Sequence, residues 1–158
     1  TTLDLFTDSC GSCGGGAYFN GHWSFISWPS SWDASVRLDI TFLELVPIVL
    51  AIWVWSAQFT SKKLLINTDN MALVHILNTK SSKSSRVMSL VRPLVLHCLK
   101  HNIQIRCVHV PSYSNAIADA IADAISRLQL NKFRKLALNA DMYPVPVPPA
   151  LLTLLELK

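Results

Sequence analysis

Hydrophobic and polar residues alternate along the first part of the chain, between residues 3 and 28. Leu3 to Asp8 alternates and then enters a glycine-rich turn, and two further stretches, 17–20 and 22–28, lie on either side of Asn20-Gly21. The Asn-Gly pair is typical of a tight hairpin turn. The pattern therefore predicts three short strands in an antiparallel meander.

The remaining pattern predicts helices separated by two strands. A long apolar helix should run from a cap at Asp39 or Thr41 to about Phe59. We expect strands at 63–68 and 103–109, and further helices at 69–77, at 84–101 with a bend at Pro93, and from about Asn115 onward. This order predicts an α/β fold, in which a mixed five-stranded sheet with three antiparallel strands at its start is flanked by helices.

The long apolar helix is also the one candidate for a membrane span. Glu44 and Pro47 interrupt it, and the uncharged run from Leu45 is shorter than the ~20 residues that a span needs. The pattern therefore favours a fully buried helix in a protein core, and we expect no membrane partner.

The composition is that of one globular domain with a sizeable core. Of the 158 residues, 51% are hydrophobic and 15% are charged, which argues against a disordered chain and against a second domain of ordinary size. The net charge of +4 favours polyanionic partners. The cysteines are too sparse for a secreted disulfide scaffold and no signal-peptide pattern stands at the start. We expect an intracellular protein, with cytoplasm and nucleus not distinguished.

The pattern changes beyond Gln129. A basic step at 131–135 precedes four prolines between Tyr143 and Pro149, a composition typical of a semi-rigid extended linker. We therefore divide the chain into a folded domain, residues 1–128, and a basic and proline-rich connector, residues 129–158, toward a following module. Because the chain opens on Thr1, we expect it to be part of a longer product.

The few acidic residues carry most of the candidate chemistry. Asp8, Glu44 and Asp69, and either Asp119 or Asp123, each lie in an otherwise apolar stretch. A buried carboxylate is costly unless a cation neutralises it, and no Lys or Arg is close in sequence to the first three. Oxygen ligands favour Mg²⁺ or Mn²⁺ over zinc. The alternative interpretation, that these acids are helix caps and turn formers, stays open.

Four short motifs stand in order around these acids. They are Phe6-Thr7-Asp8-Ser9 before the glycine-rich turn, Leu43-Glu44-Leu45, Asn67-Thr68-Asp69-Asn70, and a closing run from His109-Val110-Pro111 through Asp119 to Asp123-Ala124-Ile125-Ser126-Arg127. Over residues 3 to 128 the ordered set resembles type 1 ribonuclease H domains, as carried by the reverse transcriptases of retrotransposons. The tail beyond Arg127 resembles the connector in retroelements that integrate by a tyrosine recombinase.

The resemblance implies a ribonuclease H-like fold and a metal-dependent endonuclease that hydrolyses the RNA strand of an RNA/DNA hybrid, leaving a 5′ phosphate. It assigns two Mg²⁺ ions, for which Mn²⁺ can substitute, to Asp8, Glu44, Asp69 and Asp119. It also implies covalent linkage to a reverse transcriptase domain upstream and another module downstream. Two competing hypotheses are an inactive domain that binds nucleic acid or a polymerase neighbour, and an integrase-like nuclease on the same scaffold.

Candidate substrate contacts follow the third motif. Asn70 and the basic side chains of the polar segment 78–86, which are Lys80, Lys83 and Arg86, could contact the hybrid backbone and its 2′-hydroxyls. A plain solvated loop is the alternative interpretation of that segment.

The closing motif departs from the family pattern because a four-residue unit, Ile-Ala-Asp-Ala, occurs twice between residues 117 and 124. The repeat leaves Asp119 and Asp123 on nearly one helix face at different heights. We favour Asp119, since the preceding strand fixes where the helix begins. His109, ten residues earlier, matches a family histidine that assists product release. A strand-end histidine, with Tyr113 in the loop role, is the alternative.

Two of the cysteines form the run Cys10-Gly11-Ser12-Cys13. A redox CxxC motif usually opens a helix, and a zinc site needs further ligands nearby. The sequence therefore favours a turn that carries two incidental thiols.

Overall fold

The computed structural model describes the backbone of residues 2–110 and 116–156, and the side chains of 2–110 and 120–156. The strands are β1 (Thr2–Cys10), β2 (Gly14–Phe19), β3 (His22–Ser27), β4 (Lys63–Thr68) and β5 (Gln104–His109). The helices are α1 (Ala34–Arg37), α2 (Ile40–Val54), α3 (Ser56–Phe59), α4 (Met71–Thr79), α5 (Ser85–His101), α6 (Ala116–Ser126), α7 (Leu130–Leu136) and α8 (Pro149–Glu156).

The strands form one mixed five-stranded sheet in the order β3-β2-β1-β4-β5. β1, β2 and β3 pair antiparallel, whereas β4 and β5 run parallel to β1. Asn20 and Gly21 both have positive φ, 50° and 85°, as a tight hairpin turn requires. The predicted mixed sheet with an antiparallel start is confirmed.

Helices cover both faces of this sheet. Gly15 and Gly16 are neighbours in β2, so a Cβ on each would point to opposite faces of the sheet. A Cβ built on Gly15 would lie 3.1 Å from the Pro47 ring of α2, and one built on Gly16 would lie 2.6 Å from Ile125 of α6. α2 and α6 therefore pack on opposite faces of the sheet.

The apolar helix is buried, as its composition predicts, but it is shorter than expected. It ends at Val54, and a separate short helix begins at Ser56. The Ser56 hydroxyl lies 2.8 Å from the carbonyl oxygens of both Ile52 and Trp53, which competes with the backbone hydrogen bonds that would continue the helix. Within the described residues, no helix combines the length and the apolar composition needed to cross a membrane.

The glycines at the first turn are also placed differently from the prediction. Gly14, Gly15 and Gly16 belong to β2 and pair with Cys10, Ser9 and Asp8 of β1. The turn itself is confined to residues 11–13. The physical reason is close packing, because a Cβ at Gly14 or Gly16 would lie less than 3.0 Å from a neighbouring atom and one at Gly15 would press on the Pro47 ring at 3.1 Å.

The segment beyond residue 129 packs against the sheet. The backbone N–H of Asp141 donates to Gly21 and that of Val145 donates to Trp23, each at 2.8 Å, so the segment follows the outer edge of β3. Phe133, Leu151 and Leu155 are fully buried. The division of the chain at residue 128 stays a prediction, while the described part of the connector contributes to the core.

Candidate active site

Two of the predicted carboxylates come to one end of the sheet through parallel strands. Leu5 of β1 is aligned with Ile66 of β4. Asp8 lies three residues beyond Leu5, and Asp69 lies three residues beyond Ile66. Parallel strands carry both acids toward the same edge of the sheet, and His109 ends β5 there, aligned with Thr68.

Glu44 joins this group from the first turns of α2. Burial raises the pKa of Glu44, and the nearby Asp69 adds to the rise, while a hydrogen bond from Asn70 opposes it. Asn70 also caps α4, since its side-chain oxygen accepts from the N–H of Leu73 at 3.2 Å. Asn70 therefore connects the helix cap to the carboxylate, and its amide is held at the candidate site.

Asp123, on α6, reaches Asp8 from the other side. Burial raises the pKa of Asp8 to about 7, helped by a hydrogen bond with Asp123, by the charge of Asp123 and by that of Glu44. Burial works against ionisation of Asp123 as well, but hydrogen bonds with Arg127 and Asp8 lower its pKa. Asp8 is thus the member of the pair that holds a proton near neutral pH, and Asp123 is the ionised member.

Two neighbours in α6 hold this carboxyl pair in place. The buried hydroxyl of Ser126 lies 3.3 Å from Asp8 Oδ2 and 2.8 Å from the carbonyl oxygen of Asp123. The Arg127 Nε donates to Asp123 Oδ1 at 2.8 Å. The sequence singled out Ser126 and Arg127 only as the end of the closing motif. They directly follow the repeated Ile-Ala-Asp-Ala unit and Ile125.

Gly16 allows α6 to approach closely enough for these contacts. It is aligned with Asp8 across β1 and β2. A Cβ at Gly16 would lie 2.8 Å from the backbone nitrogen of Ser126, a separation that real Cβ atoms do not tolerate. Sequence reasoning had assigned this glycine to a turn and missed its contact with α6.

Part of the predicted site lies outside the described residues. Tyr113 and Asn115 fall in the segment 111–115, and Asp119 lies in the part of α6 whose side chains the structure leaves undescribed. Asp123 is the α6 carboxylate whose contact with Asp8 is described. The assignment of the metal ligand to Asp119 stays a prediction.

The predicted basic contacts fall into two groups. Lys80 and Lys83 are exposed on the segment between α4 and α5. Arg86 is only partly exposed and lies 3.0 Å from Asp39 Oδ2, and it also donates to Ser35. The two lysines are therefore available to a phosphate backbone, whereas Arg86 ties the start of α5 to α1 and α2.

The donor chemistry of the site fits a hard divalent cation. Asp8, Glu44, Asp69 and Asp123 supply only oxygen atoms, and burial, together with neighbouring like charges, raises the pKa of Asp8 and Glu44. Among the residues with described side chains, no three His, Cys, Asp or Glu groups are gathered closely enough to hold a metal ion as they stand. Asp8 is hydrogen-bonded to Asp123, while the charge of Glu44 acts on Asp8 and that of Asp69 acts on Glu44.

The fold is the ribonuclease H-like fold, a mixed sheet in the order β3-β2-β1-β4-β5 with helices on both faces. The chain is similar to a solved structure of the ribonuclease H1 LC11, which was isolated from compost by a metagenomic approach. The two share 12% identity at a TM-score of 0.52, over 82% of this chain and 96% of that chain. No model of a known protein family and no curated protein matches the chain.

Proposed function

We propose that the chain is a metal-dependent endonuclease that hydrolyses the RNA strand of RNA/DNA hybrids. The observation that carries the proposal is the placement of Asp8, Glu44, Asp69 and Asp123 at the same end of a ribonuclease H-like sheet. Asp8 lies in β1, Glu44 in α2 and Asp123 in α6, and all three are partly buried, whereas Asp69, directly after β4, is exposed. Such an arrangement favours cation binding over individual caps and turns.

In this proposal the four acids would hold two Mg²⁺ or Mn²⁺ ions. When bound, such ions supply an activated water and stabilise charge on the leaving 3′ oxygen. The chain itself does three things. It keeps the carboxylates at one edge of a rigid sheet, it orients Asp123 through Arg127, and it holds the Asn70 amide where a 2′-hydroxyl can be recognised.

The finer context is also proposed. The exposed lysines Lys80 and Lys83 would contact the phosphates of the hybrid backbone. His109, at the edge of the site, would assist product release. The activity would serve reverse transcription, with a reverse transcriptase domain upstream and a further module downstream. The ordered motifs around Asp8, Glu44, Asp69 and Asp123 support this placement in a retroelement polyprotein.

The direct test uses labelled RNA/DNA hybrid, duplex DNA and duplex RNA, each with Mg²⁺ or Mn²⁺. We expect cleavage of the RNA strand of the hybrid alone, and loss of cleavage in the Asp69→Asn variant. Asp4→Asn is the matched control, because Asp4 is an exposed β1 carboxylate that accepts a hydrogen bond from the Asn67 amide at 3.2 Å. Near wild-type cleavage by a folded Asp69→Asn protein would overturn the mechanism.

A second candidate is a hybrid-binding domain that does not cut. The pairing of Asp123 with Arg127 favours it, because a guanidinium already neutralises one of the four carboxylates. In that case the hybrid would bind in a salt-dependent manner and stay intact with either cation. The same assay, run beside a binding measurement, separates the two functions.

A further inference from the structure

The run from Cys10 to Cys13 forms a hydrogen-bonded turn between β1 and β2. The N–H of Cys13 donates to the carbonyl oxygen of Cys10 at 3.2 Å. A turn closed in this way places its first and fourth Cα atoms less than about 7 Å apart. Disulfides span Cα separations of about 4.4–6.8 Å, so the backbone at this turn already has the separation that a disulfide requires.

Trp28 holds both ends of this turn. Its indole N–H donates to the Cys10 carbonyl oxygen at 2.7 Å, and its backbone N–H donates to the Cys13 carbonyl oxygen at 3.3 Å. The indole is buried and stacks on Trp32 with ring centroids 5.6 Å apart. A single rigid residue therefore fixes the positions of both cysteines.

Both thiols lie beside the side chain of Ser12. The Ser12 hydroxyl lies 3.3 Å from the sulfur of Cys10 and 3.6 Å from that of Cys13. Cys13 is half-buried, whereas Cys10 is buried. Reagents in solution therefore reach Cys13 first.

The other two cysteines lie apart from this turn. Cys98 and Cys107 are buried, and desolvation raises the pKa of the Cys98 thiol to about 11 and that of the Cys107 thiol to about 12. Such thiols are chemically inert. They serve as internal controls in the same chain.

We propose that Cys10 and Cys13 form a redox-active dithiol, which closes to an intramolecular disulfide by exchange with a small disulfide such as oxidised glutathione. The Cys13 thiolate attacks one glutathione sulfur, the glutathione disulfide bond breaks, and one glutathione leaves as its thiolate. The Cys10 thiolate then attacks the Cys13 sulfur and releases the second glutathione. The cysteines together lose two protons and two electrons, and the electrons reduce the disulfide reagent to two thiols.

The test is the incubation of the folded chain with mixtures of oxidised and reduced glutathione, followed by mass spectrometry and peptide mapping. We expect wild type to lose two hydrogen masses without a lasting glutathione adduct, and the bond to map to Cys10 and Cys13. A reducing agent should reverse the change. The readout needs neither nucleic acid nor a divalent cation, so it is independent of cleavage.

Two variants test the order of attack. Cys10→Ser should trap a stable glutathione adduct on Cys13, and Cys13→Ser should leave Cys10 unmodified under the same conditions. The proposal is overturned if wild type keeps its adduct on Cys13 without ring closure, if the bond includes Cys98 or Cys107, or if the folded protein does not react. The wild-type peptide map decides the matter even where a variant does not fold.

Discussion

The hydroxyl of Ser9 donates a hydrogen bond of 2.7 Å to the backbone carbonyl oxygen of Leu43. In an uninterrupted helix that oxygen would accept from the residue four positions later, which is Pro47 and has no N–H. Ser9 therefore supplies the missing bond across the interface between β1 and α2. Because Asp8 precedes Ser9 and Glu44 follows Leu43, the contact fixes two candidate carboxylates relative to each other.

The first prediction follows from this bond. Ser9→Ala should lower the free energy of unfolding by about 1–2 kcal/mol, because it leaves the Leu43 carbonyl oxygen without a partner. The loss should be smaller in a Pro47→Ala background, where the helix regains its own N–H donor. Denaturant unfolding of the four proteins measures the coupling. Equal losses in both backgrounds would show that Ser9 acts through other contacts.

A second prediction concerns the approach of α6 to the sheet. Gly16→Ala should lower the free energy of unfolding by about 1–3 kcal/mol, because the new Cβ meets Ile125 and the Ser126 backbone. Gly11→Ala is the matched control, since a Cβ there has nothing within 4 Å, and its effect should stay below about 0.5 kcal/mol. Thermal unfolding of both variants gives the comparison. A Gly16→Ala protein as stable as the control would contradict the close packing.

The third prediction is a pH dependence without divalent cations. The pKa of Asp8 is raised from 3.8 to about 7 on folding, so its stabilising contribution is full below the lower value and is lost as the pH rises through the upper one. Asp8→Asn removes this dependence. At about pH 8, in the presence of a chelator, we expect the variant to gain about 1 kcal/mol, or about 2–4 °C in melting temperature, over wild type.

Below about pH 4 that advantage should largely disappear, because wild-type Asp8 is then protonated in the folded protein and largely protonated in the unfolded chain. Melting curves of both proteins across this range, followed by circular dichroism, give the difference directly. An equal difference at both ends of the range would show that Asp8 does not titrate in the folded protein as described.

The fourth prediction distinguishes the two aspartates of the repeat. The described contacts of Asp123 with Asp8 and Arg127 favour Asp123 as the functional carboxylate, although the spacing from the preceding strand favours Asp119. We expect Asp123→Asn to reduce metal-dependent cleavage by at least about 100-fold and Asp119→Asn to reduce it far less. Initial cleavage rates at saturating Mg²⁺ provide the measurement. The reverse ranking would make Asp119, about one helical turn before Asp123, the functional carboxylate.

The fifth prediction concerns substrate affinity. Lys80→Gln and Lys83→Gln should each weaken binding to all duplexes alike and reduce the salt slope of the binding constant by about one. Arg86→Gln should act mainly on stability, because Arg86 is bound to Asp39 and Ser35. Binding titrations over a range of salt concentrations, with unfolding curves beside them, separate the two effects. A salt-independent affinity would contradict the proposed backbone contacts.

Much of the architecture was predictable from local pattern. Alternation gave the strands, the Asn20-Gly21 pair gave the hairpin, and the unbroken apolar run gave the buried helix, because each depends on residues that are close in sequence. None of these features depends on tertiary contacts between the elements.

Only the tertiary structure decided the contacts between distant segments. The packing of separate elements decides three such contacts. Gly16 lies against Ile125, the Ser9 hydroxyl donates to the carbonyl oxygen of Leu43, and the Trp28 indole donates to that of Cys10. The partner of a buried polar atom is chosen by three-dimensional proximity, and sequence spacing carries no information about it. The repeated unit shows this most clearly, because its two aspartates are equivalent in sequence and packing against the sheet must distinguish them.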